Sequence, residues 1–404
     1  MSKNILYISI LGMSEPLGKS QVLEYLVDLK KEHYISLYSF EKDLNKETID
    51  KLSNKMQKEE ISWYYQKYSN KYGIFSTLQQ ILSSYQELKS IIKSKDIQII
   101  HARSLIPVVI ALILKRKYGV KVIYDIRGFQ IDEKAEVGRL KKGSILYKFL
   151  KGIEHYAYKK SDSIVTLTYA SIPYISQFAH KDKITVIPTC ANKELFKRMP
   201  ENERKVFKEA LSYKESDKIL LHAGAVSNWY DFNNELKIVS QLMKNDQSLH
   251  YLILNKSEHD FIAKKVEEFQ IDKNRLKVLE VDFYDMYKYL NIADASIFII
   301  KATFSKTASA PTKFAENLAC GLYSITNNGI GDMNKFFKEN KTIGYSFNIE
   351  DIKTDLSKIS LDIAKEMEMK KDLDEYDKVY NESLSKEMAI KKYSQIYNQL
   401  IEER

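Results

Sequence analysis

The 404 residues exceed one ordinary core and suit two domains of about 150–200 residues each. An apolar fraction of 44% is ample for globular protein, yet the longest apolar run, Leu105–Leu114, contains Pro107 and falls well short of the ~20 residues that span a bilayer. A net charge of +9 favours a polyanionic partner: nucleic acid, an anionic membrane face or phosphorylated ligands.

Met1–Asn4 lead directly into the short apolar run Ile5–Ile10, which reads as a first strand rather than a signal peptide. Further strand candidates in the first half are Ile35–Phe40, Ile97–His101, Val120–Ile126, Ser163–Thr168 and Ile184–Ile187, with helical stretches between them. The alternation repeats at Ile219–Ala223, His250–Leu254, Leu276–Val281, Ser296–Ile300 and Tyr323–Thr326. Such a pattern predicts two doubly wound parallel sheets in tandem, with a ligand cleft between their carboxyl ends. Asn192–Ser216, dense in charge, reads as the connection, and Glu387–Arg404 as an amphipathic terminal helix. Cys190 and Cys320 are too few for a disulfide framework or a zinc cluster, and read as reduced thiols of a cytoplasmic protein. No His/Cys/Asp spacing resembles a metal site, and no nucleic-acid-binding motif is present. The first strand is not followed by Gly-x-Gly-x-x-Gly, which disfavours a nicotinamide dehydrogenase.

The densest chemical signal is Ser305–Gly321. A strand ending near Lys301 runs into a Ser/Thr/Ala loop and then a helix that begins around Pro311 and stops at Gly321. Free N–H groups at that helix start favour phosphate oxygens, and Lys306 and Lys313 add full charges. Glu316, one turn in, is placed to accept hydrogen bonds from ribose hydroxyls. From spacing alone, an ordinary strand–loop–helix joint with solvated lysines explains the segment equally well.

Pro311–Leu322 followed by Asn328-Gly329-Ile330-Gly331-Asp332 resembles the donor-site signature of glycosyltransferase family 4. More closely, Ser305–Lys313 resembles a bacterial polysaccharide-biosynthesis subgroup with a Ser-Lys-x-Ala-Ser-x-Pro-Thr-Lys motif. Met13–Leu23, Asp125-Ile126-Arg127-Gly128-Phe129 with Asp132-Glu133, Ile187-Pro188-Thr189-Cys190 and Ala223-Gly224 resemble other segments of that subgroup, in register. The resemblance implies the GT-B fold, two Rossmann-like domains facing a central cleft. Residues 1–190 would bind the acceptor and 191–385 the nucleotide sugar, with 386–404 returning to the first domain. It implies a retaining transfer of a hexosyl or N-acetylhexosaminyl group from a nucleotide-diphosphate sugar, with no cofactor or essential metal. The acceptor would be a glycan or a polyprenyl-diphosphate-linked glycan of a capsule or O-antigen.

Carried onto this chain, the donor contacts fall at Gly18, Gly224, Lys306, Ser309, Pro311, Thr312, Lys313 and Glu316. Gly18 is expected to let its backbone approach the phosphates closely. Arg127, Asp125 and Lys306 are the catalytic candidates, and His101, Arg103 and Glu133 the acceptor contacts. Three departures stand out. The first glutamate of Glu-x₇-Glu falls at Ala308; no cation occupies Ala225 or Asn228–Tyr230; and Arg127 replaces the catalytic histidine, although arginine cannot act as a base. Lys301, Lys306 or Lys313 are the candidates for the missing charge. Arg127 could clamp a phosphate or carboxylate, or form a structural ion pair with Asp125. His101 and His222, each at a strand end, suit either structural or chemical roles.

Arg139–Lys160 carries Arg139, Lys141, Lys142, Lys148, Lys151, Lys159 and Lys160 against Glu154, interleaved with Leu146, Phe149, Leu150, Ile153 and Tyr156. Either this stripe lies on anionic lipid or it packs on the sheet while lysines face water. The first reading makes the protein peripheral on the inner face of the cell membrane. The aromatic run Trp63–Tyr68 with Tyr72 and Phe75 lacks a clear strand pattern and suits sugar stacking, lipid contact or internal packing. Besides an active transferase, a catalytically silent partner subunit and a nucleotide-sugar epimerase fit the pattern.

Overall fold

A computed structural model describes residues 2–69, 74–369 and 371–402. The chain divides into two compact units, Met1–Pro188 with Lys386–Arg404, and Thr189–Ser385. Unit 1 holds a seven-stranded sheet of β1 (Asn4–Ser9), β2 (Tyr34–Glu41), β3 (Ser62–Lys67), β4 (Ile99–Arg103), β5 (Lys121–Asp125), β6 (Ser163–Thr166) and β7 (Ile184–Val186). Unit 2 holds six strands: β8 (Lys218–Ala223), β9 (Leu249–Leu254), β10 (Leu276–Leu279), β11 (Ala295–Ile297), β12 (Tyr323–Asn327) and β13 (Gly344–Phe347). The orders are β3-β2-β1-β4-β5-β6-β7 and β10-β9-β8-β11-β12-β13, parallel throughout. Each sheet therefore reverses its winding once, between β1 and β4 and between β8 and β11. Loops leaving the two central strands diverge there, and the gap at their carboxyl ends is where doubly wound sheets take ligands.

The helices that position the site are α1 (Glu24–Leu29), α2 (Leu105–Tyr118), α3 (Gln130–Glu136), α4 (Ile145–Lys160), α5 (Phe232–Asn245), α6 (Thr312–Cys320) and α7 (Lys386–Glu402). Central strands read as unbroken β-branched and aliphatic runs because both their faces are covered, as in Ile5, Leu6 and Ile8 or Ile219, Leu220 and Leu221, all wholly buried. Terminal helix α7 packs in unit 1. Lys386 pairs with Asp28 at 2.8 Å, and Ser394 Oγ lies 3.0 Å from His33 Nε2.

Two strands escape the sequence pattern. The Trp63–Tyr68 run, read as a connection, contains edge strand β3, paired parallel to β2, with Trp63 Nε1 donating to Ser39 Oγ at 2.9 Å. Aromatics there pack along an edge, so no period-two burial marks them. Tyr72 and the side chain of Phe75 lie outside the described residues. Short β13 is the other. Asn192–Ser216 is not a free connection: it holds the helix Glu201–Ala210, and Phe196 and Tyr213 sit in the unit 2 core.

The loop after β1 is tied down by buried Glu41, which accepts from Met13 N at 2.7 Å, Ser14 N at 3.1 Å and Ser39 Oγ at 2.6 Å. Gly18 is buried against this loop, and a Cβ there would meet the Gly12 carbonyl oxygen at 1.9 Å. Close packing thus explains the glycine, and Gly12 fills the side on which a Cβ would stand. Gly18→Ala is expected to cost about 1–3 kcal/mol, as overpacked sites do, read as a lower midpoint in urea unfolding.

Candidate functional site

Unit 2 gathers its charge at the β8/β11 switch. β8 runs into Gly224, whose φ of +101° lies in the left-handed region that favours glycine. The turn is braced from beneath by His222, which donates from Nε2 to Ala225 O at 2.9 Å while Nδ1 meets Glu235 Oε1 at 2.6 Å. Glu235 on α5 also accepts from Tyr251 Oη at 2.6 Å and Ile299 N at 3.2 Å. His222 is thus a wholly buried scaffold residue. From outside, Glu258 accepts from Val226 N at 2.8 Å and Ser227 N at 3.2 Å. Lys301, exposed, donates its ammonium to Asn228 O at 2.7 Å, so its charge braces the same loop.

Against this turn lies Lys313. It is 9% exposed and its Nζ has no hydrogen-bond partner among the described residues. Its Cε and Nζ pass 3.2 and 3.5 Å from where a Cβ on Gly224 would stand, and Nζ lies 3.8 Å from the Tyr230 ring centroid. Lys306 Nζ sits 3.7 Å over Trp229. The Trp229-Tyr230 pair, where the family pattern calls for cations, instead supplies π faces to two lysines from the α6 side. Neither aromatic was singled out as a partner by the sequence, because cation–π pairing across 77 and 83 residues leaves no local signal.

α6 begins at Thr312. Pro311 stands one position earlier than a first-turn proline, at the N-cap, with no side-chain cap bond. The opening N–H groups of α6 therefore have no side-chain acceptor at the N-cap, and the macrodipole adds its partial positive charge. Lys306 O fixes the preceding loop by accepting from Ser309 N at 3.1 Å and Gly331 N at 2.8 Å. Ser309, Pro311 and Thr312 are half-buried at this helix start. Glu316, one turn on, has a carboxyl raised to about 7 by burial, with the Lys313 charge opposing part of the shift. Ala308 is wholly buried, so the position of the missing glutamate presents only a methyl group to the core.

Unit 1 has a second charged cluster at its own switch. Asp125, ending β5, is wholly buried; Arg103 Nη1 lies 3.5 Å from its Oδ2 and Arg127 Nη1 3.5 Å from its Oδ1. His101 Nε2 reaches Oδ2 at 3.4 Å and Tyr393 Oη donates to the same oxygen at 3.3 Å. His101 Nδ1 meets Tyr397 Oη at 2.7 Å. Burial favours a proton on Asp125, but Arg127, the His101 bond and Arg103 outweigh it and hold the carboxyl well below its usual range. Burial lowers His101, leaving it neutral, so Nε2 donates to Asp125 and Nδ1 accepts from Tyr397. His101 is interior, roofed by α7, rather than at an open strand end. Glu133 on α3 folds back over Gly128, its Oε1 3.3 Å from where a Cβ there would stand.

On α4 much of the apolar stripe faces outward and one of the basic residues faces inward. Lys151 and Glu154 are buried: Lys151 Nζ donates to Asp132 Oδ2 at 2.8 Å and pairs with Glu154, while Tyr147 Oη donates to Asp132 Oδ1 at 2.6 Å. Lys151 therefore leaves the solvated basic set and locks α4 to α3. Ile145 is 90% exposed and Phe149 59%, with Leu146 and Tyr156 also exposed. Val109, Leu112 and Ile113 of α2 join Phe149, Ile153 and Tyr156 in an apolar groove with Arg116 at its lining. No helix among the described residues is long and apolar enough to cross a membrane.

Comparison with known proteins agrees with this architecture. Residues 25–195 match the model of Glycosyltransferase Family 4, and residues 203–379 match that of Glycosyl transferases group 1. Similar solved structures include sucrose-phosphate synthase from Thermosynechococcus elongatus (13% identity, TM-score 0.73, all of both chains covered). A glycosyltransferase from Rickettsia africae aligns at 16% identity and TM-score 0.71 over 99% of each chain. HepE of Anabaena, solved with UDP-glucose, aligns at 11% identity and TM-score 0.67 over 98% of this chain and 99% of its own. These are GT-B structures, and the two parallel-sheet units share their fold. No curated protein matches in sequence.

The Glu316 shift sets a pH dependence. The folded chain binds this proton more tightly than the unfolded chain, so stability falls as pH rises from about 4.5 towards about 7 and levels off above. Glu316→Gln is expected to raise the thermal midpoint at about pH 8 and leave it unchanged near pH 4, in melts across that range.

Proposed function

Since the chain belongs to the glycosyltransferases, with a family 4 domain followed by a group 1 domain, we propose that it moves a hexosyl or N-acetylhexosaminyl group from a nucleoside-diphosphate sugar, with retention. The acceptor is a glycan or polyprenyl-diphosphate-linked glycan of a bacterial cell-surface polysaccharide, capsule or O-antigen. One observation carries this reading: the buried ammonium of Lys313, without a hydrogen-bond partner among the described residues, beside Gly224 at the start of α6. A departing diphosphate accumulates negative charge, and a pre-aimed cation with open backbone N–H groups stabilises it; loss of one such donor commonly costs about 10²–10³ in rate. Lys313 thus supplies from α6 the charge that the Asn228–Tyr230 loop lacks. Lys306 adds a second cation, Ser309 to Thr312 hold the diphosphate, and Glu316 accepts from the ribose. No metal is required by this scheme. The UDP-glucose bound by the Anabaena structure supports a nucleotide-sugar donor.

A silent partner subunit is the second reading, favoured by Ala308, whose methyl leaves the donor sugar without the usual carboxylate. A nucleotide-sugar epimerase is the third. Donor turnover by the purified chain, with and without acceptor, separates the three. In a thermal-shift screen, a UDP or GDP sugar at 100 times Kd is expected to stabilise the wild type by about 2.7 kcal/mol. Lys313→Met and Glu316→Ala should lose most of that shift; an undiminished shift in Glu316→Ala would remove Glu316 from the site.

The exposed face of α4 supports work at the inner, anionic face of the cell membrane. Ile145, Phe149 and Tyr156 present apolar surface, and Lys141, Lys142, Lys148, Lys159 and Lys160 are exposed around it. Each near-surface cation contributes about 1 kcal/mol against anionic lipid. In flotation assays the chain should rise with vesicles containing phosphatidylglycerol and much less with phosphatidylcholine alone. Ile145→Asp with Phe149→Asp should abolish flotation while leaving nucleotide binding intact.

A further inference from the structure

We propose that Arg103 and Arg127, held by Asp125 at the carboxyl ends of β4 and β5, form an oxyanion site in unit 1, and that a substrate received there carries a carboxylate or phosphate. The inference rests on the transferase reading for what the substrate is, and on unit 1 alone for the site.

The first argument is charge. Two guanidiniums share one carboxylate, and among the described residues neither has another acid within ion-pair distance. The other titratable groups facing them are His101 and the phenols Tyr7, Tyr25, Tyr393 and Tyr397, none of them an acid of the carboxylate kind. Burial lowers His101, pushes Tyr7 up to about 12 with Arg103 opposing part of the shift, and raises Tyr393 and Tyr397 well above the ordinary phenol, all in the direction of the uncharged form. The cluster therefore holds one uncompensated positive charge where Asp125 is wholly buried, Arg103 is 5% exposed and the Arg127 side chain 12%. An unpaired buried charge is unfavourable, and an arriving anion relieves it.

The second argument is geometry. Both contacts to Asp125 lie at 3.5 Å, ion pairs too long for good hydrogen bonds. Among the described residues, Arg103 Nε is buried with no acceptor and Asp125 Oδ1 has no hydrogen-bond donor. Arg103 also hydrogen-bonds the Tyr7 phenol, so it is chiefly the planar fork of Arg127 that keeps N–H groups for bidentate capture of an oxyanion, the task for which arginine is suited and lysine is not. Asp125 cannot turn away, because His101 and Tyr393 hold its Oδ2 from β4 and α7. Of the two guanidiniums, Arg127 keeps the more open edge, and the cluster stands at the β1/β4 switch where a ligand is received.

Two sources share this chemistry: the carboxylate of a uronic acid sugar and the phosphate of a lipid-linked acceptor. The test titrates the full chain with glucuronate, inorganic phosphate and neutral methyl glucoside, reading thermal shift, in wild type, Arg127→Gln, Arg127→Lys and Lys313→Met. Lys313→Met removes phosphate capture in unit 2. In that background glucuronate or phosphate should still bind saturably and methyl glucoside should not; the anion that binds identifies the source. Adding Arg127→Gln to Lys313→Met should weaken the anion at least tenfold, and Arg127→Lys should recover only part. UDP, bound through unit 2, should shift wild type and Arg127→Gln equally, which separates failure of this site from failure of the donor reading and confirms that the variant folds. Equal anion binding with and without Arg127, or no anion binding in Lys313→Met, overturns the proposal.

Discussion

Both units depend on one topological constraint: a parallel sheet wound in two directions must part its loops where the winding reverses. At β1/β4 and at β8/β11 the central strands end with backbone groups and side chains that no neighbouring crossover covers. The chain places charge at each of these points, and each cluster is fixed from below by a wholly buried carboxylate. Glu235 braces the turn after β8 through His222, and Asp125 anchors the arginine that ends β4 and the one that follows β5. Rigid support beneath a charged rim lets a site stabilise developing charge without reorganising at the moment of reaction.

Buried donors without hydrogen-bond acceptors are costly, and among the described residues each cluster contains one on a cation: Lys313 Nζ and Arg103 Nε. Lys313 is partly compensated by the π face of Tyr230, a soft partner that an arriving phosphate can supplement. Arg103 and Arg127 are compensated by a single carboxylate. A carboxylate also marks the unit 2 site, where Glu316 and Lys313 lie one helical turn apart and desolvation outweighs their attraction. Polar groups held in this underpaired state are the ones that the proposed anionic ligands would satisfy.

α4 shows how a helix can defeat a periodicity argument. Its lysines and its aliphatic residues both recur at helical intervals, so either set could face inward. The buried partner decides: Asp132 on α3 draws Lys151 and Glu154 under the helix, and the apolar residues Ile145, Leu146 and Phe149 are left outside. An ion triad of this kind is satisfied only in company, which makes the choice of face a tertiary property.

Hydrophobic alternation by itself determined the two-sheet α/β plan, most strand positions and the strand–loop–helix joint that carries Lys313 and Glu316, because burial on both faces of a parallel sheet and turn chemistry are written in local residue order. The resemblance of residues 305–332 added the family. Only the tertiary structure decided the edge strand β3, the return of Tyr393 and Tyr397 from α7 onto Asp125 and His101, the packing reason for Gly18, and the pairing of Lys306 and Lys313 with Trp229 and Tyr230. Each of these joins residues far apart in the chain through a contact a few ångströms long, and such contacts follow from how elements stack rather than from the periodicity of any one of them.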